Sequence, residues 1–377
     1  MLRTTLLGVL VALMIGCGKK APNSSPEQAE TPKGGDPKNP TPPTDPNAGK
    51  PKDQPKVLTP VGVVKTGMAT GPGDRNQVHL SEDGSVAAVY NGRVKKTQIW
   101  KVSADPKKIQ EFAGNVLCFS PDGTKLLRSG KDFQPQEIVA AETGALIVPL
   151  ENKSHSLTTF SSPDVVVGLT PGDWLEPQKP GTLLVRHYNA TTGKMMSEFE
   201  IPTGIQGKNF VFFNQGKELA IGSQKDNRVE FWDLINKKKS REVTLANPPA
   251  KPANADLRWF HFTVGQDGKW IALERNSGNR IFDATTGAEA TPQNVGNSTG
   301  SLLPNRDIYL RYQSKFDAKT STGMPTYHAY DFKKAAVVAS LPMPQDGLFH
   351  TLSANGKTLI TESDNGQLTV WDLTQIP

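Results

Sequence analysis

With 377 residues, two cysteines and a formal charge of +6, the chain is long enough for one large domain or two average ones. It has no disulfide framework to rely on, and its basic excess is too small for an extended nucleic-acid footprint. Arg3 supplies one positive charge and residues 18–56 supply two (seven Lys against five acids), which leaves about +3 for everything from residue 57 onward.

The first residues run Met-Leu-Arg-Thr-Thr, then an apolar stretch from Leu6 to Ile15, then Gly16-Cys17. That stretch suits a secretory signal and is too short to span a bilayer comfortably. Met14-Ile15-Gly16-Cys17 resembles the lipobox of bacterial lipoproteins, with Met14 where Leu is usual. The resemblance implies a signal peptide over 1–16, acylation of Cys17, and a location in the bacterial cell envelope, lipid-anchored and facing the periplasm or exterior. The alternative is an ordinary cleaved signal in which Cys17 has no role.

Residues 17–56 hold ten Pro and no aromatic residue, so they cannot bury a core. They read as a disordered tether of roughly 35 Å as a flexible coil, or roughly 120 Å as extended polyproline.

From 57 to 377 the sequence repeats. Strand-like runs end at Trp100, Val139, Tyr188, Trp232, Phe282, Tyr330 and Trp371, and four of these aromatic anchors are followed by Asp: Asp233, Asp283, Asp331 and Asp372. A period near 45 residues marks a propeller array. Between anchors recur two turn types. One is Glu82-Asp83-Gly84, Pro121-Asp122-Gly123, Asn214-Gln215-Gly216, Gln266-Asp267-Gly268 and Ala354-Asn355-Gly356, joining strands a and b. The other is Ala190-Thr191-Thr192-Gly193 and Ala284-Thr285-Thr286-Gly287, joining c and d. Their glycines supply positive φ, and their Asp side chains cap turn backbone.

These segments resemble WD40 repeats, best at Phe119-Ser120-Pro121-Asp122-Gly123 and Val370-Trp371-Asp372-Leu373. The resemblance implies an all-β, seven-bladed β-propeller. The Gly-His that opens many such repeats is absent, and only Asp226 and Asp364 stand where the family's buried polar network has its Asp, so stability falls to apolar packing between blades. The seventh repeat has no strand d after Trp371; Val57–Lys65 is an orphan strand that can complete it, closing the ring as WD40 propellers often do.

In this strand order the a–b and c–d turns share one face, and the b–c and d–a loops share the other. The long insertions, 169–181, 313–325 and 245–257, all fall on the second face, where a contact surface is expected. The candidate partner-binding residues are Asp173, Trp174 and Glu176 in blade three, and Lys315, Phe316, Lys319, Met324 and Tyr327 in blade six. Trp174 could equally fold back over the gap between blades. The tether would leave from the tight-turn face.

No metal-ligand spacing occurs among the six His, although His79, His261 and His350 lie on innermost strands and His187 should pack against a neighbouring blade. Nucleophile elbows and phosphate loops are absent. Cys118 should be a buried thiol. The sequence therefore points to a monomeric, non-catalytic interaction module, anchored to a membrane through its lipid, with no cofactor or metal and no nucleic acid, whose partner is another envelope protein or a polymer. The alternative is a propeller enzyme of lactonase or quinoprotein type with a metal or cofactor at the channel mouth.

Overall fold

The computed structural model describes residues 54–68, 76–129, 135–151, 157–171, 181–203, 209–223, 227–246, 259–275, 278–291, 300–317, 322–343, 349–363 and 366–377. They form seven antiparallel sheets arranged around an axis, a seven-bladed propeller. Blades one to six occupy 76–113, 116–149, 157–202, 209–244, 259–283 and 300–342, and blade seven takes 349–372. Among the described residues blade five has three strands rather than the expected four. Its outer position holds one bridge, Phe282 to Glu289, backed by Ala290 N donating to Ile281 O at 2.8 Å.

The apolar alternation of each strand explains where the core lies. Seven clusters of buried side chains form, and every one is shared by two neighbouring blades. Ala88 and Ile99 of blade one meet Val116, Leu126 and Val139 of blade two; around the ring, Val64, Leu368 and Val370 of blade seven meet Ala87, Val89 and Trp100 of blade one. Among the described residues no blade has a core of its own. The Trp371 indole, fully buried, donates to Thr361 Oγ1 at 2.9 Å, while Trp100 and Trp232 donate to Gln98 and Glu230, two residues back on their own strands.

Closure is as expected in outline and double in detail. Gly62–Lys65 pairs antiparallel with Gln367–Asp372 and supplies blade seven's fourth strand. Ahead of it Lys56–Val57 leaves that line and pairs in parallel with Ala336–Pro342, the outer strand of blade six. Leu58 is buried between blades six and seven, and Val64 between blades seven and one. Arg306, in the blade-six a–b turn, donates to the carbonyls of Leu373, Ile376 and Pro377, and Lys56 Nζ reaches Gln375 O at 2.9 Å.

The turn glycines have a second role. All five a–b glycines and the two c–d glycines have φ between 68° and 76°, a region open to Gly at little cost. Each also docks on the preceding blade. A Cβ on Gly193 would lie 2.1 Å from Pro149 O, and one on Gly287 would lie 2.1 Å from Thr244 O. The close approach forms hydrogen bonds: Glu151 N donates to Gly193 O and Ala246 N to Gly287 O, both at 2.8 Å. Asp233, Asp283, Asp331 and Asp372 accept backbone N–H groups within their own turns, so the repeated aromatic-Asp pairs are structural.

Candidate functional site

Because both turn sets of one face are wedged against the neighbouring blade, an insertion there would break interblade packing. On the opposite face blade six departs from the repeat. Residues 313–325, expected as an irregular insertion, mostly continue the sheet. Ile308–Asp317 and Thr322–Asp331 pair over ten positions, from Ile308 with Asp331 to Asp317 with Thr322. Among the described residues the inner strand follows only to Arg311 and the outer strand only to Thr326. The pairs from Ser314 with Pro325 to Asp317 with Thr322, about 13 Å long, therefore run past every flanking strand pair among the described residues, as a two-stranded arm.

Three of the candidate residues lie on this arm, with Lys315 opposite Met324 and Phe316 opposite Gly323. Asp173, Trp174, Glu176 and Lys319 lie outside the described residues, as do Asp226 and Asp364. Tyr327 does not belong to a surface. It is fully buried between blades six and seven, and its hydroxyl is 3.0 Å from His350 Nδ1. The strand alternation that placed it beside the insertion also turns it inward.

The innermost strands enclose an axial passage. Its larger part, about 470 Å³, is lined by all seven blades on the tight-turn side; a second part of about 380 Å³ lies between blades seven and one, and both are lined by His79 and Thr351. His350 lines the second part, with Ser301 Oγ 2.8 Å from its Nε2. His261 is exposed, and His187 packs within its own blade, stacked on Phe199 with Ser197 Oγ 3.1 Å from Nδ1. Cys118 is half-buried against the blade-two and blade-three cluster, and burial pushes its thiol up to about 11. Among the described residues no three His, Cys, Asp or Glu side chains are arranged to hold a metal ion.

The passage has a polar bar near its tight-turn mouth. Gln215 Nε2 of blade four donates to Glu82 Oε1 of blade one, Gln215 N donates to Gln266 Oε1 of blade five at 3.4 Å, and Asn355 N of blade seven donates to Glu82 O at 3.2 Å. Two blades lie between Glu82 and Gln215 on one side of the ring and three on the other, so the contact crosses the axis. The sequence carried the signal: Gln215 fills the middle turn position held elsewhere by Asp or Asn, whose short side chains bond Ser85 N, Thr124 N, Lys269 N and Lys357 N locally. The longer Gln reaches across the passage instead.

Burial lowers both His79 and His350 to about 4. The unfolded chain takes up these protons near pH 6.5, whereas the folded chain refuses them until about pH 4. Stability is therefore full above pH 6.5 and falls as pH drops from 6.5 to 4, by at most on the order of 3 kcal/mol per histidine. Urea unfolding between pH 7 and 4.5 should show this slope, and His350→Gln should flatten it. A separate loss below pH 4 comes from turn carboxylates such as Asp233 and Asp372, held low by hydrogen bonds from the Asn236 backbone and the Thr374 hydroxyl.

No family model and no curated protein matches the sequence. Among solved structures 1241 chains match the fold, which is why the fold by itself does not select a function. One is a chain in a crystal structure of the mitotic checkpoint complex, with a TM-score of 0.53, 16% identity, and coverage of 87% of this chain and 96% of that one. At that identity the likeness is one of fold.

Proposed function

We propose that this chain is a non-catalytic propeller interaction module, carried on a lipid-anchored tether in a bacterial cell envelope, that binds another envelope protein or a polymer through its b–c and d–a loop face. The observation that carries the reading is the blade-six arm. A two-stranded ribbon by itself is marginal in water, and among the described residues no strand pairs with the outer edges of this one, which would present backbone donors and acceptors of the kind partners pair with. The opposite face, wedged blade to blade by its turns, has no comparable projection among the described residues. The anchor reading rests on the lipobox-like Met14–Cys17 segment and the Pro-rich residues after it.

A photocrosslinking residue at position 316 in native envelopes is expected to give a discrete adduct, absent from the same probe placed at Ile235, which is 61% exposed on the tight-turn face. Deleting 314–325 should remove partner capture while leaving the fold. Equal capture from both positions would sink the assignment of the face. Palmitate labelling should disappear in Cys17→Ser, and stoichiometric Ca²⁺ or quinone in the purified protein would overturn the binding-only reading in favour of an enzyme.

A further inference from the structure

We propose that the axial passage is a binding site for a small neutral molecule rich in hydroxyl groups. The strand repeat supplies the first argument. One equivalent position on each of the seven innermost strands lines the larger part of the passage. Five places ahead of the a–b glycine it is His79, Cys118, Val211, Thr263 or Thr351, and in blades three and six, which lack that glycine, it is Thr159 and Ser301. The next residue along each strand is apolar in all seven blades and packs in an interblade cluster, as Phe119 and Val264 do. Alternation along a strand therefore explains why this ring faces the axis. It does not explain why five of the seven are Ser, Thr or His, where an apolar residue such as Val211 would serve packing alone.

The second argument is hydrogen bonding. His79 Nε2 and Thr263 Oγ1 are buried with no partner within the protein. Buried polar atoms are normally satisfied, and exceptions call for an occupant. The hydroxyls of the ring are held in place. Ser301 Oγ lies 2.8 Å from His350 Nε2, and the Tyr327 hydroxyl fixes that imidazole from its other nitrogen at 3.0 Å. Thr351 Oγ1 donates to Val78 O at 2.9 Å, and Thr159 Oγ1 reaches Phe160 O at 3.5 Å. A hydroxyl has one donor and two acceptor sites, so each of these keeps capacity toward the axis. Such a ring suits a ligand whose own groups both donate and accept.

Charge and size narrow the class further. Among the described residues lining the larger part, Glu82 is the only Asp, Glu, Lys or Arg, and its carboxylate already accepts from Gln215 in the bar near the tight-turn mouth. Burial holds His79 and His350 neutral at pH 7. The ring is thus uncharged, and an anion finds no counter-charge there. The volume of about 470 Å³ falls within the range of roughly 300–1,000 Å³ found for small-molecule sites, which suits a compact ring bearing several hydroxyls. The site stands apart from the loop-face reading and needs no partner protein.

The test is saturation-transfer NMR on the full chain titrated with myo-inositol in phosphate buffer at pH 7.5. Saturable one-site binding is expected. Thr263→Val, which keeps the side-chain shape and removes one hydroxyl, should weaken it about fivefold, the worth of one net hydrogen bond. Cyclohexanol, with a single hydroxyl, and quinate, which adds a carboxylate to a polyhydroxylated ring, should each bind at least tenfold more weakly. Circular dichroism checks that the variant is folded; if it is not, Thr159→Val takes its place with the same expectation. A passage holding water only, seen as no saturable signal, would overturn the proposal. So would binding unchanged in the folded variant, or equal binding of cyclohexanol or quinate.

Discussion

Deleting residues 54–66 is expected to lower the thermal midpoint by about 10 °C or more. The segment contributes two buried side chains to two different interblade clusters, Leu58 between blades six and seven and Val64 between seven and one. Truncating one large core side chain typically costs about 2–5 kcal/mol, and here both are lost together with the ladder from Gly62–Val370 to Lys65–Gln367. A domain of this size shifts by about 2–4 °C per kcal/mol. Calorimetry on the deletion variant checks this, and melting at the parent temperature would refute closure by this segment. Leu58→Ala and Val64→Ala separate the two latches; since they share no cluster, their effects should add.

The second large effect belongs to a single methyl group. Gly287→Ala should destabilise the domain by about 3 kcal/mol or more. Left-handed backbone costs a non-glycine residue roughly 1–2 kcal/mol, and φ at Gly287 is +71°. The remainder comes from the neighbouring blade: the new Cβ would lie 2.1 Å from Thr244 O and 2.9 Å from Val243 Cγ1, so the outer strand of blade four must move. Gly67 is the control. Its φ is +66° and a Cβ there would meet nothing within 4 Å, so Gly67→Ala should carry the backbone cost alone. Equal losses in urea unfolding would show that the turn does not wedge the blades.

Much of this architecture is legible in the sequence because it repeats. The aromatic anchors count seven blades, and the Asp-Gly and Thr-Gly turns separate the tight face from the elaborated one. What the repeat does not encode stays hidden. The parallel pairing of Lys56–Val57 with blade six has no local signature, since two residues carry no periodicity. Residues 313–325 look like an insertion because Gly323 and Pro325 are poor strand formers, yet each is paired across the arm, with Phe316 and Ser314. Tyr327 is misplaced for the same reason: with the strand unrecognised, its inward position cannot be counted. The axial passage is the least legible feature. Its lining comes from all seven blades, from His79 to Ala354, and only closure of the ring brings these residues together.

The sharing of every apolar cluster between two blades constrains how the chain can be made. On a ribosome, Leu58 and Val64 emerge among the earliest residues of the domain, but their packing partners include Leu341 and Trp371 in one case and Ile360 and Leu368 in the other. Until those appear, the growing chain is an open stack with an uncovered apolar flank at each end, and no order of synthesis shortens the wait. A cell that moves this chain across a membrane unfolded must therefore deliver nearly all of it before any of it can finish folding.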